Sequence, residues 1–497
     1  MTRKLAGFIL TLGLALSLFG CETTSQQDPS DNGTNNNQLK IINFFYLNDL
    51  HGALLEGAGE MGMARIGNFL IDEKENHPDR TVILGGGDMV QGTLSSNYFY
   101  GENTTRIMDE VGFDATVIGN HEFDWGLEMV TRYYTGENDD VYQAEHKMLG
   151  ANVFYEGSET IPDGIEPYMM LERQGLNIGV IGTMGYGLES SILASMVEGY
   201  YFADPVPIIE EYSEYLRSEK DADIVIVISH DSGNDLNYPL SQFHEDARID
   251  AVFNGHSHRT ETDKIGSMPT IISGASGSHV GQVQIQWHDG EIINATAQNL
   301  DAGMDSRFNS SHPDIEETIA FYQEEIQHLY QSDLTADGFQ SQWDLTRWMS
   351  RLMLEATDSD YAFHNTGGTR DDFEDGEAVS IARLYDVFPF DNTVVTVEVS
   401  GEEVLSLMDG NSNYAARNPS ASVDPGATYK IATNNYVFYH PRNNTTEGEN
   451  IIYKPLEMFD LAVEAYWRMV EAGDTFSTAH DIGMNYYTEW FEEASAD

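Results

Sequence analysis

Short apolar runs rich in Ile, Val and Phe recur along the first part of the chain, and each ends in a polar cluster. They are KIINFFYLNDLHG (40–52), TVILGGGDMVQGT (81–93), DATVIGNHEFD (114–124), DIVIVISHDSG (223–233) and IDAVFNGHSHR (249–259). Runs that stay apolar without alternating predict strands buried on both faces, the pattern of a sheet covered by helices. Between them, MARIGNFLIDEKE (63–75) and PIIEEYSEYLRSEK (207–220) space their apolar positions at helical intervals and predict the covering helices. The polar cluster always stands at the C-terminal end of its run. Layered α/β architectures bind ligands just beyond the carboxyl ends of their strands, so the five clusters are expected to converge on one site. A further helical stretch, HPDIEETIAFYQEEIQHLYQ (312–331), predicts a connector to a second region that begins near Leu334.

The clusters supply Asp49, His51, Asp88, Asn120, His230, His256 and His258. These are oxygen and imidazole donors with no thiolate among them, a set suited to zinc, manganese, iron or cobalt. Any one of them alone reads as a loop residue or a satisfied core histidine; together they are too many donors for one tetrahedral ion. Asp88, isolated between glycines in GGGDMVQG, has two carboxylate oxygens with which to bridge two ions, and a dinuclear site is expected.

Composition narrows the classes. At 497 residues, 41% hydrophobic, the chain suits two or three folded domains. The formal charge of −57, from 82 Asp plus Glu against 25 Lys plus Arg, excludes nucleic acid as an expected partner. MTRKLAGFILTLGLALSLFGC begins with a basic pair and continues in an apolar stretch too short to span a membrane, which predicts a signal peptide over 1–20. Cys21, the only cysteine, follows Leu18, Phe19 and Gly20; this resembles a lipoprotein box and predicts lipidation at Cys21. Residues 21–39 contain almost no large apolar side chains and read as a flexible tether. An exported, monomeric cell-envelope lipoprotein anchored to a membrane through Cys21 is expected.

The ordered set NDLHG, GGGDMVQGT, GNHEFDWG, SHDSG and NGHSHR resembles the metallophosphoesterases, specifically the 5′-nucleotidase family, over about Asn43 to Tyr466. The resemblance implies a four-layer αββα metallophosphoesterase domain (40–310), a linker helix (311–333) and a C-terminal α/β nucleotide-binding domain (334–490). It implies that Asp49, His51, Asp88 and His258 hold one divalent ion, and that Asp88, Asn120, His230 and His256 hold the other. With only Asp49 and Asp88 anionic, two divalent ions leave a formal surplus of two positive charges for a phosphate. His121 is implied to be a non-ligand that acts on the leaving oxygen, oriented by Asp124, whose hydrogen bond would raise the imidazole pKa. Glu122 is left with either a ligand imidazole to hold or a structural hydrogen bond, and Gly119 is expected to let the chain turn sharply so that Asn120 faces the ions. The activity implied is hydrolysis of nucleotide phosphomonoesters by a metal-bridging hydroxide, with a UDP-sugar hydrolase or 2′,3′-cyclic phosphodiesterase of the same family as alternatives and a non-catalytic binding lipoprotein as the weakest.

In the second region the resemblance assigns substrate binding to Asn365, Arg370 and Phe390 in YAFHNTGGTRDDF and FPFDN, and to Tyr436 in YKIATNNYVFYHP, with the two aromatics sandwiching a base. After Tyr436 the chain reads VFYHPRNN where the family commonly has a glycine-rich turn. Arg347 and Arg351, four apart on one predicted helix, are a solvated face or substitutes for missing substrate-binding arginines.

Overall fold

A computed structural model describes residues 38–479, apart from 58, 137–140, 193, 391, 411, 441, 442 and 444. Cys21, the predicted signal peptide and all but the last two residues of the predicted tether lie outside the described residues.

All five apolar runs form strands. Lys40–Leu47, Thr81–Gly85 and Ala115–Val117 lie side by side and parallel in a seven-stranded sheet, whose edge is the antiparallel hairpin Val280–His288 and Glu291–Leu300. Ile224–His230 and Ala251–Asn254 lie parallel in a six-stranded sheet. The two sheets face each other across Phe44, Tyr46, Val82 and Leu84 on one side and Ile226, Ile228 and Phe253 on the other. This sandwich explains why the runs do not alternate, since the opposite face of each sheet is buried as well.

Helices provide that outer cover. Met63–Asn76 turns Met63, Ile66, Phe69 and Leu70 onto the first sheet. Pro205–Glu219 turns Ile209 and Leu216 onto the second. The latter begins two residues before the predicted stretch because Asp204 accepts a hydrogen bond from Val206 N and Pro205 occupies the first turn, where its missing N–H costs nothing. The result is four layers, αββα.

The predicted connector is a helix over Pro313–Ile326 followed by a tighter turn, Gln327–Tyr330. It does not stand free: Ile315 and Ile319 join the core beneath the helices Met63–Asn76 and Glu102–Val111. Tyr322 Oη donates to Glu102 Oε1 at 2.9 Å and accepts from Arg106 Nε at 3.0 Å. Beyond it, a five-stranded sheet runs in the order Ser412–Ala416, Tyr361–Asn365, Thr428–Asn434, Thr393–Ser400, Glu449–Glu457. The helices Gln342–Thr357, Ile381–Val387 and Met458–Ala472 cover one face, and Gly401–Asp409 with Asn435–Tyr439 cover the other. Asn97 of the first part hydrogen-bonds Tyr385 Oη of the second. Among the described residues no helix is long and apolar enough to cross a membrane.

Candidate metal centre

The five polar clusters meet at the carboxyl ends of their strands. Donor atoms of Asp49, His51 and His258 lie within 4.8 Å of one another, as do those of Asp88, His230 and His256, and those of His51, Asp88 and His121. Asp88 is therefore common to two groupings. Asn120 Oδ1 reaches the second, 3.1 Å from His230 Nε2 and 3.0 Å from His256 Nδ1. His230 Nε2 is 3.1 Å from Asp88 Oδ2, and His258 Nε2 is 3.4 Å from Asp49 Oδ1. The site is dry at one end and open at the other: the side chains of Asp88 and His230 are 2% and 0% exposed, that of His258 52%.

The local backbone is strained to make this convergence. Asp49, His51, Asp88, His256 and His258 all have φ between 51° and 63°, the left-handed region that is uncommon for any non-glycine residue, although aspartate and histidine enter it more readily than most. Each such residue costs about 1–3 kcal/mol and persists only where its surroundings over-determine it. Here they do, because the loops after the first two strands continue to bond one another: Asp49 N donates to Gly87 O, His51 N to Asp88 O and Gly52 N to Met89 O, all at 2.9–3.0 Å. The carboxylates are aimed by further N–H donors, Asp49 by His256 N and by the Asn48 amide, Asp88 by His121 N.

Glu122 holds no imidazole. It is buried and accepts three backbone N–H bonds, from Asp88 at 2.9 Å, Met89 at 2.8 Å and Gly119 at 2.6 Å, so it ties the loop of Asp88 to that of Asn120. Burial, reinforced by the charge of Asp88, pushes its carboxyl up to about 7. Gly119 also has a different reason from the expected one: its φ lies outside the left-handed region, and a Cβ there would collide with the Asp88 carboxylate and backbone. It is glycine for close approach.

Ring orientations leave lone pairs pointing inward. His51 Nδ1 donates to Gln91 O at 2.9 Å and His230 Nδ1 to Gly86 O at 2.8 Å, so the nitrogen each turns to the centre is Nε2, whose lone pair is free for a cation once its proton leaves. His51 Nε2 faces His258 Nε2 at 3.0 Å. Lone pairs converging at such distances require protons or cations between them, and the oxygen and imidazole set fits divalent ions. In the protein alone, protons serve: burial would lower His230, but Asp88 and Asp49 outweigh it and lift it to about 10.

His121 stands beside this set with Nδ1 2.7 Å from Asp124 Oδ2. Burial opposes its protonation, but the charge of Asp88 and the Asp124 hydrogen bond prevail and raise it to about 9. The four residues expected to bind substrate are not in this group. Asn365 Oδ1 accepts from Asn434 Nδ2 at 2.8 Å, and the Arg370 guanidinium stands 5.7 Å from the Phe390 ring centroid. Tyr436 is 55% exposed beside His440, on a helix capped by Asn434. Asn434 thus joins Asn365 to the helix of Tyr436, a role sequence reading missed although the NN pair before an apolar run is a cap signal. Arg347 is exposed, while Arg351 donates to Thr478 O at 2.7 Å and so serves the fold. A cleft of about 430 Å³ leads from His51 to Pro389, the residue before Phe390.

The calcineurin-like phosphoesterase family model matches residues 42–260, and that of the 5′-nucleotidase C-terminal domain matches 325–422. A 5′-nucleotidase of Vibrio parahaemolyticus is 25% identical over 482 residues, covering 85% of this chain and 82% of its own. The crystal structure of a 5′-nucleotidase precursor from Thermus thermophilus superposes with a TM-score of 0.67 at 19% identity, covering 90% of this chain and 99% of that one. A Thermus thermophilus sulfate thiohydrolase superposes with a TM-score of 0.59 at 16% identity, covering 87% and 94%. The fold therefore extends to other substrates.

Proposed function

The chain belongs to the calcineurin-like phosphoesterases that carry a 5′-nucleotidase C-terminal domain, and from that premise we propose that it hydrolyses nucleotide phosphomonoesters to nucleoside and phosphate. It is a phosphoric ester hydrolase. The observation that carries the reading is the meeting of seven oxygen and imidazole donors from five strand ends around Asp88, with His121 and Asp124 at their edge.

Asp49, His51, Asp88 and His258 would hold one divalent ion and Asp88, Asn120, His230 and His256 the other, zinc, manganese, iron or cobalt. Bound there, two such ions supply Lewis-acid charge and lower the pKa of water. The chain's own part is positional and electrostatic. Asp124 fixes the His121 tautomer and favours its protonated form, so that Nε2 is the nitrogen left to give a proton to the departing alkoxide. Asn120 contributes a neutral oxygen, which preserves positive charge for the phosphoryl group. Gln91 O and Gly86 O keep His51 and His230 in the tautomer that can ligate.

Asn365, Arg370, Phe390 and Tyr436 would receive the nucleoside. Their grouping at one end of the five-stranded sheet supports this, as does the partial exposure of Phe390 and Tyr436, which a purely core role would not leave. At the N-terminus, a signal peptide and Cys21 lipidation would make this an exported, membrane-anchored monomer; Cys21→Ala would then release the protein from the membrane fraction.

The test is phosphate release by protein lacking the tether, reconstituted with each metal in turn, from nucleoside monophosphates, UDP-glucose and 2′,3′-cyclic nucleotides. Monophosphates should be turned over best, and Phe390→Ala or Tyr436→Ala should raise KM for them by the loss of about 1–3 kcal/mol of stacking while sparing nitrophenyl phosphate. A preference for UDP-glucose or cyclic nucleotides, or equal damage on nitrophenyl phosphate, would overturn the respective assignment.

A further inference from the structure

On the outer face of the six-stranded sheet lies a polar pocket of about 240 Å³. Val252 shares a core with Ile209 and Leu216 of the outer helix, and Phe253 shares one with the opposite sheet. Alternation along that strand turns Asn254 outwards, into the pocket. None of the seven expected metal ligands lines it, nor does His121. Its walls are instead their neighbours in the chain: Ser232 and Asn237 after His230, Asn254 before His256, Arg259 after His258.

Two asparagines here are half satisfied. Asn237 Nδ2 donates to Asn254 Oδ1 at 2.8 Å, which leaves Asn237 Oδ1 and Asn254 Nδ2 buried without a partner among the described residues. Asn254 is only 1% exposed. Turning both amides over exchanges their roles and still leaves one donor and one acceptor free. Buried polar groups in folded proteins are paired, so this couple marks a place for a group that answers both. Room for the couple is built in: Gly233 has φ 77°, and a Cβ there would collide with Asn237 Nδ2 and Asn254 Oδ1.

The rest of the lining narrows the class. Arg259 is its one cation among the described residues, and that guanidinium is spent on Ser232 O at 3.0 Å, Ser257 Oγ at 3.1 Å and Glu261 at 3.2 Å, so an anion finds no partner. Tyr238, 64% exposed, offers an aromatic face. The volume lies below the range of about 300–1,000 Å³ typical of drug-sized ligands, which suits a single ring system. An uncharged planar heterocycle meets these demands. Its edge sets a donor beside an acceptor, as adenine does when an asparagine reads it, and its face stacks on tyrosine. Vicinal sugar hydroxyls also supply a neutral donor and acceptor, but they rotate, whereas a heterocycle fixes both in its plane.

We propose that this pocket is a second binding site, separate from the metal centre and from Phe390 and Tyr436, for the edge of an uncharged nucleobase-like heterocycle. Bound there, the ring ties the loop after His230 to the strand end before His256.

Equilibrium dialysis of the full metal-loaded chain against adenine, with ribose as the control without a planar ring, tests this. The chain carries Phe390→Ala and Tyr436→Ala, so that the nucleoside site proposed above does not contribute. One adenine per chain should bind, and ribose should bind at least about tenfold more weakly. Adding Tyr238→Ala or Asn237→Leu should weaken adenine by about tenfold or more, through loss of the stacked ring or of the amide couple. Metal content and circular dichroism should stay unchanged in both variants, which establishes that they fold. No binding at millimolar adenine, which leaves the amides to ordered water, would overturn the assignment, as would an affinity that neither variant changes or ribose bound as tightly. No readout here involves phosphate release, so failure of this site and failure of the phosphoesterase reading are separately visible.

Discussion

His121 occupies an ambiguous position, close enough to Asp88 and His51 to share an ion with them, yet bound through Nδ1 to Asp124. The Asp124 bond decides the expectation: a ring oriented from outside the metal set is placed to move a proton. His121→Asn should keep two ions per chain and lower kcat for a nucleotide by about two to four orders of magnitude. The penalty should be smaller for nitrophenyl phosphate, whose leaving group departs without a proton. Loss of an ion from that variant, read by elemental analysis, would make His121 a ligand. Because the Asp124 hydrogen bond favours the protonated ring, kcat for a poor leaving group should fall as alkaline pH removes that proton, and Asp124→Asn should move the decline to lower pH. Asp88 should matter most for metal content, since it is the carboxylate common to two donor groupings. Asp88→Asn should lose at least one ion and nearly all activity, whereas Asp49→Asn should weaken one ion selectively. Two tightly held ions in the Asp88 variant would refute the bridge.

At the scale of elements, the strand Tyr361–Asn365 carries its own weakness. His364 is completely buried, with Nδ1 accepting from Asn434 Nδ2 at 2.9 Å, and burial pushes its pKa down to about 3. A histidine depressed in the folded state and near 6.5 when unfolded contributes stability that is fully present above pH 6.5. That contribution is lost progressively as pH falls from 6.5 towards 3, since the unfolded chain binds the proton and the folded chain resists it. Acidification from pH 7 to pH 4 should therefore lower the melting temperature less in His364→Gln than in the wild type. Parallel pH dependences in the two proteins would show that His364 is not the group responsible. The helix Pro313–Ile326 makes the complementary point: by burying Ile315 and Ile319 it attaches to the first part of the chain, so any movement of the second part must hinge after it.

The molecule as a whole carries a formal charge of −57, and its self-repulsion opposes compactness. Salt should therefore stabilise it. Raising sodium chloride from 0.01 M to 0.5 M should raise the melting temperature by several degrees as the screening length shortens from about 30 Å to a few ångströms. A melting temperature that is flat or falls with salt would indicate that pairs such as Arg173–Asp114 and Arg217–Asp250, both largely buried, outweigh the general repulsion.

The strands, their direction and the residues at their ends were legible in the chain, since both buried faces of a layered sheet impose continuous apolar runs and the ends of such runs are where polar chemistry is tolerated. KIINFFYL, DIVIVISH and IDAVFN carry that signal without any partner being known. What the sequence did not contain was the set of local choices made by residues far apart in the chain. Glu122 was open between holding an imidazole and a structural hydrogen bond until the loops of Asp88 and Gly119 came within its reach; Gly119 looked like a turn until the Asp88 carboxylate stood where its side chain would be. The left-handed backbone at Asp49, His51, Asp88, His256 and His258 was equally invisible, because a single Asp or His enters that conformation only occasionally and the bonds between loops decide where it does. Propensity and periodicity are properties of neighbours along the chain. Strain and close approach are set by neighbours in space.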